Sequence, residues 1–321
     1  MNFTTKIPIP RSLNSIEYGS KIILFGSCFA ENMGKKLGYF KFQHSTNPFG
    51  IIFNPFSIEK LIERVVLQRH FTKDDIFFFN ERWHCYEVHS ELSHADSETV
   101  LSNLNRILSD TQKQVQEATH VILTYGTSWV YRHSETNAIV ANCHKVPQKQ
   151  FTKELLSVDT IKENIQNTLS LIQTLNPNCN FIFTVSPVRH LKDGFIENQV
   201  SKAHLITAIY SFLQESEEVF PSGARVIFPS YEIMMDELRD YRFYADDMMH
   251  PSPLAIDYIW ERFRESSISE TAYTTMDAVE SIQKSLLHRS FAPDSESHIK
   301  FVKKLNDKIT ILEAKFPQMK F

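Results

Sequence analysis

The chain has 321 residues, 42% hydrophobic and 22% charged, with a net charge of -4. This is one large domain or two ordinary ones with a full core. The acidic balance, with no Lys/Arg run, gives no pull toward nucleic acid, and no stretch approaches the ~18 uninterrupted apolar residues of a membrane span.

The N-terminus, MNFTTKIPIPRSLN, has no apolar h-region, so no secretory signal is expected. Residues 21–26 (KIILFG) read as a buried strand that ends in one of only 8 glycines. Residues 57–68 place Ile58, Leu61, Ile62, Val65 and Val66 on one helical face. Residues 71–94 look like a short β-ribbon insertion, with Phe77, Phe78 and Phe79 before a turn at Asn80-Glu81. Residues 98–117 are helical again, with Val100, Leu104, Ile107 and Leu108 aligned. Strands follow at 120–126, 180–186 and 225–229, and helices at 159–175, 201–219 and 253–265. Short apolar strands without clean alternation suit a parallel sheet covered on both faces. Strand alternating with helix predicts a doubly wound α/β fold over residues 1–268. Residues 269–321 form a C-terminal helical extension, with Leu286 and Leu287 in one pattern. Val302, Leu305, Ile309 and Leu312 mark the other, and APDSES (292–297) separates the two. These helices cap the domain or mediate oligomerisation.

In such a sheet, ligands sit at the carboxyl ends of the strands. Gly26-Ser27-Cys28 follows the first strand, Gly126-Thr127-Ser128 the second, and Ser186-Pro187-Val188-Arg189-His190 the third. A thiol at the start of a helix feels the helix N-terminus, which favours the thiolate. Further on, Asp247 and His250 stand in DMMHP. A carboxylate at that spacing orients an imidazole, which then takes a proton from a nucleophile. The bland alternative is a loop aspartate capping the 253–265 helix beside a surface histidine.

The blocks FGSC, YGTS and DMMHP resemble, in order and context, the FGDS, GxND and DxxHP blocks of the SGNH/GDSL hydrolases. GSCFA itself, with NPFG (47–50), NCHKVP (142–147) and VSPVRHLKDG (185–194), resembles the mostly bacterial GSCFA-domain family. The resemblance covers roughly residues 5–265 and implies a flavodoxin-like three-layer sandwich of the SGNH type. It implies Cys28 as nucleophile, with Ser27 in the aspartate slot; a one-residue shift of the turn would make Ser27 the nucleophile. Asp247 and His250 complete the triad. The Cys28 amide and Gly50 would hold an oxyanion, helped by Ser128 or Asn47. The implied activity is hydrolysis of an acyl ester of a carbohydrate or small metabolite, without a cofactor. Because thiolates suit thioester exchange, acyl transfer from a CoA-type donor is the rival. A non-catalytic binding module on a decayed hydrolase fold is the third reading, since Ser128 replaces the family's oxyanion Asn.

Arg189, His190, Lys202, His144 and Lys145 would bind an anionic part of a substrate, unless they pair with Asp193 and Glu197. His89 would line the cleft or face water. His84, Cys85, His89, Cys143 and His144 fit no closed zinc motif, so no metal is expected. The Phe-rich ribbon either walls an acyl pocket or packs under the insertion. Four cysteines without CxxC spacing suggest a reducing, cytoplasmic setting with no membrane contact.

Overall fold

The structure, a computed structural model, describes residues 5–215, 225–288 and 291–321. Strand β1 (Lys21–Gly26) runs into α1 (Cys28–Tyr39), and β2 (Gln43–Thr46) follows. Helix α2 (Pro55–Val66) precedes a hairpin of β3 (Phe77–Phe79) and β4 (Arg82–His84). Helix α3 (Ser97–Glu117) leads into β5 (His120–Tyr125). Next come β6 (Trp129–His133), β7 (Ile139–Val140) and β8 (Phe151–Leu155). The alternation resumes with α4 (Val158–Leu175), β9 (Asn180–Val185), α5 (Phe195–Glu215) and β10 (Arg225–Ile227). A single turn, α6 (Ser230–Glu232), continues as a π-helical turn, Ile233–Glu237. The chain ends in α7 (Pro253–Ser267), α8 (Glu270–Leu286) and α9 (Glu296–Lys315).

Among the described residues, five strands form a parallel sheet in the order β10-β9-β5-β1-β2. This is the doubly wound α/β sandwich expected, and its direction of winding reverses between β1 and β5. Strand residues alternate between two cores. Ile23, Phe25, Val121, Leu123, Phe181 and Phe183 face α2 to α5. Ile22, Leu24, Ile122 and Ile182 face α1, α7 and α8. That two-sided burial is why these strands read as unbroken apolar runs.

Short polar caps set the helix starts. Ser27, Asn54, Asp96, Ser157, Ser252, Ser269 and Ser295 each accept an amide of the following first turn. The cap at Asn54 and Pro55 at the first helical position start α2 earlier than the apolar pattern suggested. The expected 201–219 helix begins at Phe195; residues 216–219 lie outside the described residues. Two features went unpredicted. Strand β2 reads QHST, polar because it is a half-covered sheet edge. Residues 129–155 form a three-stranded antiparallel sheet, β7-β6-β8.

The ribbon turn is as expected, with Asn80 (φ 46°) and Glu81 (φ 62°) both left-handed. In the tail, Ala272, Met276, Val279 and Ile282 of α8 enter the same core as α1 and α7. Leu305 and Leu312 of α9 are buried there too. Leu286 and Leu287 are instead exposed, at the frayed end of α8. Among the described residues no helix is long and apolar enough to cross a membrane.

Candidate active site

The turn from β1 to α1 leaves no room for a side chain at Gly26. Its φ is +148°, and an added Cβ would lie 2.1 Å from Thr124 O. The Ser27 amide then donates to Thr124 O (3.1 Å), and Ser27 Oγ accepts the Phe29 amide (3.2 Å). Ser27 is thus the N-cap of α1, only 2% exposed. Cys28 is the first helical residue and is partly open. The pull of the helix start toward the thiolate is outweighed here. Burial raises the thiol above its ordinary range and Glu31 adds to this, outweighing the amides of Cys28 and Phe29 and the charge of Lys202.

Asp247 and His250 meet in a closed loop. The Met248 amide donates to Ala245 O (2.9 Å), and the Ala245 amide to His250 O (2.8 Å). Asp247 Oδ1 accepts the amides of Met249 and His250, both at 2.9 Å. Its Oδ2 lies 2.5 Å from His250 Nδ1. Those two amides and the imidazole pull the carboxyl down to about 2, so it is ionised and only accepts. His250 Nδ1 therefore carries the hydrogen, and Nε2 is the nitrogen left to accept a proton. The helix-cap alternative fails, because Ser252 caps α7. Arg189 braces the loop: its amide donates to Met249 O (3.1 Å) and its Nη1 to Met248 O (3.0 Å).

Ser27, Cys28, Thr127, Arg189, His190 and His250 line one cavity of about 420 Å³. Its other walls include Phe53, Trp129, Tyr131 and Val188. No hydrogen bond joins the thiol to the His250 ring among the described residues. His190 is neutral, since burial first, then Lys202 and His250, push it down to about 3. Its Nε2 is buried without a partner.

Several expected roles need correction. Lys202 does not reach a substrate: it is fully buried, and its Nζ donates to Gly126 O (2.6 Å) and Ser186 O (2.7 Å). Burial lowers it to about 7. The Gly50 amide is no oxyanion donor, because it donates to Asn47 O (2.7 Å) in a turn. Gly50 is required instead by φ +76° and by His89, whose Cβ would lie 2.3 Å from an added Cβ. Ser128 turns away from the cavity and its hydroxyl donates to Ser201 O (3.2 Å). Thr127 is the member of that pair that lines the cavity. Asn47 Oδ1 accepts the Gly26 amide (2.8 Å), while its Nδ2 is buried without a partner.

His144, Lys145 and His89 do not line the cavity. His144 sits in the antiparallel half, 4% exposed, with Nε2 2.7 Å from Cys85 O. Lys145 is exposed there, and His89 lies 3.5 Å from a Glu91 oxygen. The Phe-rich ribbon packs there too, Phe77 stacking on Tyr86 at 4.0 Å, so it does not wall the cavity. Among the described residues no group of three or more His, Cys, Asp or Glu is placed to hold a metal. The aromatic walls Phe53, Trp129 and Tyr131 were missed, though Trp129 directly follows the YGTS block.

Residues 21–263 match the model of the GSCFA family, and residues 279–321 match that of the GSCFA domain protein C-terminal domain. No curated protein matches the chain. Among solved structures, a carbohydrate esterase family 3 protein from Talaromyces cellulolyticus is similar, at 10% identity and a TM-score of 0.37. The match covers 80% of this chain and 99% of that one.

Proposed function

The chain belongs to the GSCFA family, and from that premise we propose that it hydrolyses acyl esters through Cys28, His250 and Asp247. The observation that carries this reading is an imidazole with Nδ1 fixed on an ionised carboxylate, sharing one cavity with a partly open thiol. The raised thiol needs a base, and His250 Nε2 is that base. Catalytic hydrogen bonds are often long without substrate, so the missing thiol–imidazole bond is expected to form in the complex.

His250 takes the Cys28 proton, and the sulfur attacks the ester carbonyl. A C–S bond forms, the C–O bond breaks, and His250 returns the proton to the departing alcohol. Water then attacks the thioester, giving its proton to His250. The acid leaves, and the proton returns to Cys28. The Cys28 amide is the oxyanion donor in this proposal; Asn47, whose Oδ1 holds the Gly26 amide, sets the turn behind it. Ser27 is disfavoured as nucleophile, because its buried oxygen is spent on capping α1. Lys202 acts as a positioning residue: it ties the ends of β5 and β9 together and places a positive charge behind Cys28.

A second reading, acyl transfer from a thioester carrier, is favoured by the thiol itself, which both attacks and leaves well. Release of p-nitrophenol from short acyl esters tests the first reading. Wild type should turn over, and Cys28→Ala and His250→Ala should not; turnover that survives both substitutions contradicts it. Acyl transfer from acetyl-CoA to an added alcohol, with little hydrolysis, would select the second.

A further inference from the structure

Arg189 lines a second cleft as well as the reaction cavity. The second cleft has a volume of about 220 Å³, and its walls include Met234, Met235, Leu238, Tyr241 and Tyr244. It is built on the π-helical turn Ile233–Glu237 and the 3₁₀ turn Tyr241–Phe243. π-Helical turns recur at functional sites. For scale, an apolar cavity of about 150 Å³ holds a benzene ring. The cleft therefore has room for one aryl ring and a few methylenes. Methionines suit it to ligands of variable shape.

The charges around it do not balance. Arg239 pairs with Asp236, and Asp240 pairs with Arg242 (2.9 Å). Asp193, the carboxylate expected to neutralise Arg189, is taken by Lys153 (2.6 Å). Arg189 makes no ion pair among the described residues. Its guanidinium lies over the rings of Phe195 (5.5 Å), Tyr241 (6.0 Å) and Tyr244 (5.3 Å). Phe195 and Tyr241 are also two-thirds exposed, at 67% and 66%. One uncompensated positive charge thus stands between two cavities, ringed by open aromatic surface.

We propose that this cleft is a second subsite, and that it takes an aryl or alkyl group bearing a carboxylate, which pairs with Arg189. Its place in a reaction rests on the ester-cleaving reading, since it names the substrate as a carboxylate-bearing aryl or alkyl ester. Its binding does not, so the test uses the Cys28→Ala protein, which has no acyl chemistry. Calorimetric titration compares 3-phenylpropanoate with its neutral counterpart, 3-phenylpropan-1-ol. The acid should bind about tenfold tighter or more, as a charged hydrogen-bonded contact gives. Adding Arg189→Met should bring the acid down to the level of the alcohol. Arg189 also holds Met248 O, so further variants leave that bond in place. Met235→Trp fills the cleft and should lose both ligands. Tyr241→Ala, at an exposed site, should weaken both. Equal affinity for acid and alcohol, no binding of either, or binding indifferent to Met235→Trp and Tyr241→Ala would each overturn the subsite. Binding as expected with no ester cleavage by wild type would leave the subsite standing and remove only the catalytic reading.

Discussion

His250 and His144 make opposite use of one side chain. His250 stands part-exposed at a cavity, one nitrogen fixed on an ionised carboxylate. His144 is buried, one nitrogen on a backbone carbonyl, and packed edge-on against Phe77 with His84 beside it. Burial pushes His144 down to about 4, so at neutral pH it is uncharged. Both sit in suggestive motifs, DMMHP and NCHKVP. What separates them is the partner and the opening: a carboxylate favours the imidazolium that proton transfer creates, and a dry aromatic shell forbids it. The first arrangement is the one proposed to move protons, and the second ties the ribbon to the antiparallel sheet.

The contrast breaks most sharply at the nucleophile. Cys28→Ala is expected to cut ester turnover by at least ~10³-fold with the fold intact, as measured by p-nitrophenol release and circular dichroism. Asp247→Asn follows, at ~10²- to 10⁴-fold, because the amide no longer fixes the tautomer or stabilises the imidazolium. An Asp247→Asn protein with wild-type turnover would return His250 to the same class as His144. Lys202→Met sharpens the electrostatics. Without the charge behind it, Cys28 should titrate higher, and iodoacetamide should alkylate it about three- to tenfold more slowly at mildly acidic pH, below the value of about 7 at which Lys202 loses its charge, a shift of roughly half to one pKa unit. A thermal scan of the same variant checks that it is folded, because Gly126 O and Ser186 O lose their donor.

The smallest effect on activity falls at His144. His144→Gln should leave turnover unchanged and lower the melting temperature. Its pH signature is also distinct. The unfolded chain takes up this proton below an ordinary imidazole value of ~6.5, whereas the folded chain resists until about 4. The stability associated with His144 is therefore full above that ordinary value and is lost as pH falls toward about 4. Melting temperature against pH should slope across this window in wild type, and less in His144→Gln. His190, held near 3, prolongs the slope.

Much of the frame was readable from residues. Apolar runs bounded by turn residues located β1, β5 and β9, and the glycine before Ser27-Cys28 marked the turn into α1. The DxxH spacing was readable because a short loop closes on itself to bring carboxylate and ring together. Other features depend on distant partners. The direction of the Ser128 hydroxyl is set by Ser201, on α5, more than seventy residues further along the chain. Whether the Gly50 amide is free depends on a turn bond to Asn47. Lys202 reads as a cation for an anionic substrate, and only the packing of α5 over the ends of β5 and β9 shows it buried on two backbone carbonyls. Strand β2 carries no apolar signal, because a sheet edge asks little of it.

The central claim is that Cys28 carries the acyl group. Its most direct test is intact mass and peptide mapping after a brief exposure to p-nitrophenyl acetate, quenched in acid. The account predicts one added acetyl group, on the peptide containing Cys28, absent from Cys28→Ala and formed more slowly in His250→Ala. Acetyl on Ser27 or elsewhere, or an unmodified Cys28 while ester is being cleaved, would contradict it.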